Sequence, residues 1–156
     1  METKLLSQHY DKPEYVSLKG YVNLGGYEVL KKALKMEPKA VIEEVKASGL
    51  RGRGGAGFPT GTKWTFLPEN SEPRYLLCNA DEGEPGTFKD RIMLERAPHQ
   101  LIEGMIISAF AVRSAKSYIY VRGEYQMCIR KLETAIREAY AAGFLGKNIL
   151  GSGFNH

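Results

Sequence analysis

The sequence has little cysteine and no long apolar run. Only Cys78 and Cys128 are present, far apart and outside any C-x-x-C or Cys/His cluster, so they offer neither a disulfide framework nor a complete zinc or iron-sulfur site. Each reads as a small core residue, and reduced thiols suit a cytosolic-type compartment. No segment approaches the roughly 20 apolar residues that span a bilayer. Met1 to Leu18 lacks the apolar centre of a signal peptide. Blocks of one charge are missing as well: the net charge of +4 arises from Lys and Arg interleaved with Asp and Glu, which describes a mixed solvated surface and not a nucleic-acid groove. His9, His99 and His156 have no partners at ligand spacing and take structural places. What remains is a chain of 156 residues, 43% hydrophobic, the size of one globular domain with its own core.

Hydrophobic spacing orders that domain. Residues 1–25 are polar with scattered Tyr and Gly and read as an extended N-terminal arm, leaving 26–156 as the domain proper. Tyr27, Leu30 and Leu34 recur at helical spacing over Gly26 to Leu34. A second helix starts near Pro38, turns Val41, Ile42 and Val45 inward and stops at Gly49. Arg74 to Asn79 is a short apolar run that predicts a buried strand. Pro98 opens an apolar helix to about Val112, with Leu101, Ile102, Met105, Ile106 and Ala109 covering most of its surface. Ser117 to Val121 predicts a second buried strand, with Tyr118 and Tyr120 in the core. An amphipathic helix of about 18 residues follows Gly123 and ends at Gly143, with Met127, Leu132, Ile136 and Tyr140 as its buried side. The order strand, helix, strand, helix predicts parallel pairing and an α/β fold, because parallel neighbours need a crossover. The last six residues fall where a further strand is expected, so a fragment or one half of a split subunit is anticipated.

Between the second helix and the first strand lies the richest segment, Gly52 to Trp64, in which five glycines, Arg53, Lys63, Phe58 and Trp64 are crowded together. Glycines let backbone N–H groups approach phosphate or ribose oxygens without a Cβ in the way. Arg53 and Lys63 supply positive charge, and Phe58, Trp64 and Phe66 offer flat faces for a ring. Gly52-x-Gly54-x-x-Gly57 matches the Rossmann spacing, but that fingerprint needs a strand before it and a helix opening after it. Here a helix precedes, and Phe58-Pro59-Thr60-Gly61 reads as unable to open one. The P-loop fails too, since Gly61-Thr62-Lys63 replaces its Gly-Lys-Ser/Thr end. The segment reads as a nucleotide loop of neither type.

The first strand delivers Asn79, Asp81, Glu82 and Glu84 into a loop at its C-terminal end, where ligands sit in α/β proteins. Taken alone, these acids suit a solvated turn better than a metal site.

Three motifs in order carry a family resemblance: Gly49-Leu50-Arg51-Gly52-Arg53-Gly54-Gly55-Ala56-Gly57-Phe58-Pro59-Thr60-Gly61 with Lys63-Trp64, then Cys78-Asn79-Ala80-Asp81-Glu82-Gly83-Glu84-Pro85-Gly86-Thr87-Phe88-Lys89-Asp90-Arg91, then Tyr118-Ile119-Tyr120-Val121-Arg122-Gly123-Glu124-Tyr125. They closely resemble the FMN- and NADH-binding flavoprotein of NADH-quinone oxidoreductase, respiratory complex I (its F or 51 kDa subunit), over its N-terminal portion from about Tyr21 onward. The resemblance implies a parallel-sheet flavin/NADH-binding α/β domain, Rossmann-like without the standard fingerprint and truncated before its last strands. It also implies an activity in which hydride passes from NADH to FMN and electrons leave singly through iron-sulfur clusters toward quinone, with no catalytic side chain because the cofactor performs the chemistry. By resemblance, Gly52, Arg53, Gly54, Lys63, Asn79, Asp81 and Glu82 contact FMN, and Gly55, Ala56, Phe58, Phe66 and Glu84 line the NADH side.

The 4Fe-4S cluster of the family has no ligands in this chain, and the second glycine-rich segment that closes over FMN in relatives would lie beyond His156. An isolated chain is therefore expected to bind FMN weakly or not at all and to be inactive by itself. The implied partners are other peripheral-arm subunits, especially the 2Fe-2S thioredoxin-like one. The implied place is cytoplasmic, at the inner face of the membrane through the complex, without direct membrane insertion or nucleic acid. Two alternatives stand beside this reading: the homologous diaphorase subunit of an NAD-linked hydrogenase or formate dehydrogenase, and an incomplete nucleotide-binding or assembly module that needs a second polypeptide.

Overall fold

The computed structural model describes residues 4–68 and 73–156; residues 1–3 of the N-terminal arm lie outside them. Two strands, β1 (Arg74–Ala80) and β2 (Ser114–Val121), pair in parallel, in register from Tyr75 opposite Lys116 to Ala80 opposite Val121, with a shift between Arg74 and Tyr75. The helices are α1 (Leu18–Asn23), α2 (Glu28–Ala33), α3 (Pro38–Ala47), α4 (Thr60–Trp64), α5 (Lys89–Arg96), α6 (Pro98–Val112) and α7 (Gln126–Ala141). The expected α/β fold and parallel pairing are present, and α5 with α6 forms the crossover from β1 to β2.

The long helix α6 is the hub. Pro98 sits in its first turn, where a missing N–H costs nothing, and its chain reverses at Arg113 in a left-handed conformation. Ile102 and Ile106 are fully buried on it, each stabilising the fold by about 2 kcal/mol. Three apolar clusters surround α6. One joins Tyr15, Tyr21, Tyr27 and Leu30 to Ala135, Ala139, Phe144 and Ile149. A second joins Ala80 of β1 to Leu94 of α5 and to Cys128 and Leu132 of α7. The third holds α2 and α3 against the helix through Ala33, Val41 and Ala111.

The structure corrects several expectations. Residues 13–23 are not extended: Pro13–Val16 is a 3-10 turn, α1 follows, and Tyr15 and Tyr21 are buried against α6. The buried stripe of α7 is Cys128, Leu132, Ala135 and Ala139, at a helical repeat of three to four, whereas Met127 and Tyr140 are exposed. Ile136 is partly buried against the first cluster. The strands are covered on one face only. Tyr75 and Leu77 of β1 and Tyr118 and Tyr120 of β2 stand exposed, while the alternate residues Cys78, Ile119 and Val121 pack toward the helices. The period of two in a strand separates these sets, which a purely apolar run conceals.

Beneath the apolar clusters lies a polar knot. Glu103, buried on α6, accepts hydrogen bonds from the backbone N–H groups of Tyr27 and Leu30 at 2.9 Å each and from the Tyr21 hydroxyl. It thereby caps the N-terminus of α2, where Tyr27 lies in the left-handed region and has no local side-chain cap. The Tyr27 hydroxyl donates to His99 Nδ1 at 3.0 Å, and His99 Nε2 donates to Glu138 at 2.9 Å. Glu138 also accepts the Leu18 N–H that begins α1. Burial holds His99 below the usual histidine range against the pull of Glu138, so the ring is neutral and this proton arrangement is the consistent one. Burial first, then the bond to Glu103, pushes the Tyr21 hydroxyl upward and keeps it a donor.

Candidate functional site

The glycine segment hangs from a narrow neck. Arg51 and Pro59 form an antiparallel bridge, Gly52 N–H donates to Phe58 O at 2.9 Å, and Thr60 N–H donates to Leu50 O at 2.9 Å. Arg51 Nε reaches across to Gly57 O at 2.6 Å, over a Gly57 backbone whose φ of 65° suits glycine. Above the neck the loop is bare. A Cβ built on Gly54 or Gly55 would meet nothing within 4 Å, and the side chains of Arg53 and Lys63 make no hydrogen bond or ion pair among the described residues. Phe58 and Phe66 are 47% and 67% exposed with ring centroids 5.9 Å apart, so the loop presents two flat apolar faces together. Trp64 does not join them; it packs into the α2/α3/α6 cluster.

A helix does open directly after Pro59, against the sequence expectation. It is only five residues long and is fixed by tertiary contact. Gly61 is buried where α4 crosses α3, and a Cβ there would lie 2.6 Å from Lys46 N and 2.9 Å from Lys46 Cα. The absence of a side chain permits that close crossing. The preceding segment is a helix as expected, and Gly49, at φ 68°, ends the path out of α3. Packing of α4 on α3 and of α3 on α6 ties the loop to the sheet.

At the C-terminal ends of the strands a second set of residues converges. Asn79 Oδ1 accepts Asp81 N–H at 3.2 Å, an Asx turn that leads the chain out of β1. Glu82 follows with φ at 39°. Its carboxylate accepts Asp90 N–H at 2.6 Å and Arg91 N–H at 2.9 Å, so it caps α5 from upstream. Tyr125 Oη donates to the same carboxylate at 3.4 Å, and Arg122 Nη1 donates to the Glu82 carbonyl at 3.3 Å. Arg122 also pairs with Glu124, Nη2 to Oε1 at 3.2 Å. Hydrogen bonding to Arg122 first, with the charge of that partner, holds Glu124 below the usual carboxylate range. Glu84 is exposed, and among the described residues only its carbonyl is engaged, by Thr87 N–H at 3.1 Å. Cys78, in β1, has its thiol pushed up by burial, with a smaller push from Asp90, as an unreactive packing residue would.

The structure therefore brings the expected residues together in two groups. Gly52, Arg53, Gly54, Gly55, Ala56, Phe58, Lys63 and Phe66 belong to the loop and its following helix; Asn79, Asp81, Glu82 and Glu84 belong to the turn after β1. No hydrogen bond, ion pair or ring contact joins the groups among the described residues. Arg122, Glu124 and Tyr125 are additions to the second group. The strand-end rule that singled out the turn after β1 applies equally to β2, and it points to them.

Comparison with known proteins agrees with these features. Residues 45–151, which hold both groups, match the family model described as the Nuo51 FMN-binding domain. The chain is 57% identical over 151 residues to the F subunit of the Aquifex aeolicus NADH-quinone oxidoreductase, covering 97% of this chain and 35% of that protein. It is 52% identical over 148 residues to the F subunit of the Escherichia coli enzyme, covering 93% of this chain and 33% of the relative. A solved structure of an NAD+-reducing [NiFe]-hydrogenase in the air-oxidized state superposes with a TM-score of 0.69 at 43% identity, over 90% of this chain and 23% of that one. The chain thus spans about a third of the length of the curated relatives it matches. Among the described residues no helix is long and apolar enough to cross a membrane. With three ordered motifs, a matched family model over most of its length and the same fold in a solved relative, the chain belongs to the Nuo51 FMN-binding domain family, Complex1_51K.

Proposed function

We propose that this chain forms the FMN-cradling, NADH-facing part of an NADH-oxidising flavoprotein within NADH-quinone oxidoreductase. The observation that carries the reading is the bare glycine loop: exposed backbone at Gly54 and Gly55, flanked by Arg53 and Lys63, whose side chains have no hydrogen-bond or ion-pair partner among the described residues. Open backbone N–H groups beside two cationic side chains fit a dianionic phosphate in donors and in charge.

FMN, when bound, supplies the ring that takes up hydride from NADH and passes electrons on singly. The chain positions it. Gly52, Arg53, Gly54 and Lys63 hold FMN, and Lys63 places a positive charge against anionic character there. Asn79 and Asp81, with Glu82 behind them, hold the polar parts of the flavin. Gly55 and Ala56 let the dinucleotide approach, Phe58 and Phe66 offer their exposed faces to its adenine, and Glu84 faces it. A carboxylate at Glu84 near a dianionic ligand weakens binding and favours product release; equal retention of NADH and NAD by Glu84→Gln and its parent, in the assembled enzyme, would remove that role.

The electron path continues outside this chain. Its 4Fe-4S ligands, the 2Fe-2S partner, quinone as acceptor and a place at the inner face of the membrane follow from the reading of the chain as part of the complex I flavoprotein. The hydrogenase likeness supports the diaphorase of an NAD-linked hydrogenase as the second reading, with the same cofactor and a different acceptor.

Titration of the purified chain with FMN and with riboflavin, followed by flavin fluorescence, tests the proposal. FMN is expected to bind about tenfold more tightly than riboflavin, the worth of one charge-assisted phosphate contact. That preference should vanish in Arg53→Ala. Equal binding of the two flavins would refute the cradle; if neither binds up to millimolar concentration, the same comparison in the assembled enzyme decides, and equal binding there would refute it.

A further inference from the structure

Resting on the flavin reading above, we infer that Arg122 and Tyr125 at the exit of β2 are positioning residues for the ligand-facing turn after β1, acting through Glu82. The turn is held by few bonds of its own: one Asx contact at Asn79 and the carbonyl of Glu84 to Thr87 N–H. Glu82 in its middle has a left-handed backbone, which a residue with a Cβ keeps only where its surroundings fix it. It is fixed from two sides: by the Asp90 and Arg91 N–H groups of α5 and, from about 40 residues away, by the exit of β2. Arg122 grips the Glu82 carbonyl, and Tyr125 reaches the Glu82 carboxylate.

The grip is built from parts with other anchors. Arg122 lies over the Tyr125 ring at 5.5 Å, and Arg91 lies over the same ring at 5.9 Å. Arg91 is itself tied to Glu95 at 2.9 Å, and its N–H is one of the two that Glu82 caps. Glu124 holds the Arg122 guanidinium through Nε and Nη2, which leaves Nη1 aimed at the Glu82 carbonyl. The planar fork of arginine is needed for this: lysine cannot hold Glu124, stack on Tyr125 and reach the carbonyl in one conformation. With Glu82 committed to α5 and β2, Asp81 and Glu84 on either side are left to face the ligand from a fixed backbone. Glu82 therefore shapes the site by ordering the turn, and Arg122 and Tyr125 set Glu82.

The test compares Arg122→Lys and Tyr125→Phe with the parent chain. Both variants keep the apolar contacts, so melting temperatures within about 2 °C of the parent are expected. Amide hydrogen exchange at Asp90 and Arg91 should quicken about tenfold in Arg122→Lys and less in Tyr125→Phe, with α6 amides unchanged. FMN affinity, read by flavin fluorescence, should fall about tenfold in Arg122→Lys and by a smaller factor in Tyr125→Phe. Parent-like FMN binding in both variants would overturn the positioning role while the flavin reading stands. If the parent chain binds no FMN by itself, exchange alone decides: quickened Asp90 and Arg91 amides support the grip, and unchanged ones refute it.

Discussion

Glu103 and Glu82 do the same job in two regions of the molecule. Each is a carboxylate that caps the N-terminus of a helix lying elsewhere in the chain, α2 in one case and α5 in the other. Glu103 is 6% exposed and ringed by Tyr21, Tyr27 and His99; Glu82 stands half-buried at the strand ends, held by Arg122 and Tyr125. Burial makes the first bond set costly to break, because water cannot replace a lost partner, whereas solvent repairs part of any loss at the second. The buried carboxylate therefore resists change more than the half-buried one at the strand ends.

The largest expected effect breaks the buried half of this comparison. Glu103→Ala leaves two backbone N–H groups and the Tyr21 hydroxyl without an acceptor and opens a void. The expected loss is on the order of 3–5 kcal/mol by denaturant unfolding. A loss below about 1 kcal/mol would mean that the knot is not what holds α2.

Two glycines extend the contrast to packing. Gly61→Ala drives a Cβ into the Lys46 backbone and should cost about 1–3 kcal/mol. Glu82→Ala comes next, at about 1 kcal/mol, the usual worth of a helix cap, and the melting curve should show it as a modest shift. Gly54→Ala meets nothing and should change stability by less than about 0.5 kcal/mol, yet FMN binding should weaken because the added methyl stands where the ligand approaches. Unchanged binding in Gly54→Ala would detach the open loop from the flavin.

Acid should act on the buried region first. Burial lowers the folded-state value of His99 from its ordinary 6.5, so the unfolded chain takes up a proton that the folded ring refuses. Stability is therefore fully present above about pH 6.5 and declines as pH falls through that value toward the lower folded one. At Glu138 desolvation is outweighed by the bonds to His99 and Leu18, which lower it and add a second loss at more acid pH. Replacing His99 with Gln should flatten the first decline in a melting-temperature profile.

Helices that carry their own punctuation were legible from sequence. Pro38 with Gly49, Pro98 with its apolar run, and the stretch from Gly123 to Gly143 each gave an element close to the observed one. The helices that went unread, α1, α4 and α5, are short. Neither α4 nor α5 has a local side-chain cap: α5 borrows Glu82, and α4 relies on the crossing at Gly61. A cap supplied by a residue seven or more positions upstream, or by a different helix, leaves no trace in local periodicity. The glycine loop and the turn after β1 were legible as candidate site segments because glycine, charge and strand-end position mark them; the exit of β2 carries the same strand-end mark, but the reach of Arg122 and Tyr125 across to Glu82 leaves no local signal.

The sequence by itself determined the chain's family, its α/β order and the parallel pairing, and it marked the two segments of the candidate site, since these depend on local composition, punctuation and crossover geometry. Tertiary structure alone decided which face of the sheet and of α7 is covered, that Trp64 belongs to the core while Phe58 and Phe66 stay outside, and which carboxylates cap which helices. Those choices depend on how closely two backbones approach and on what water is excluded. Neither quantity is set until the segments have packed.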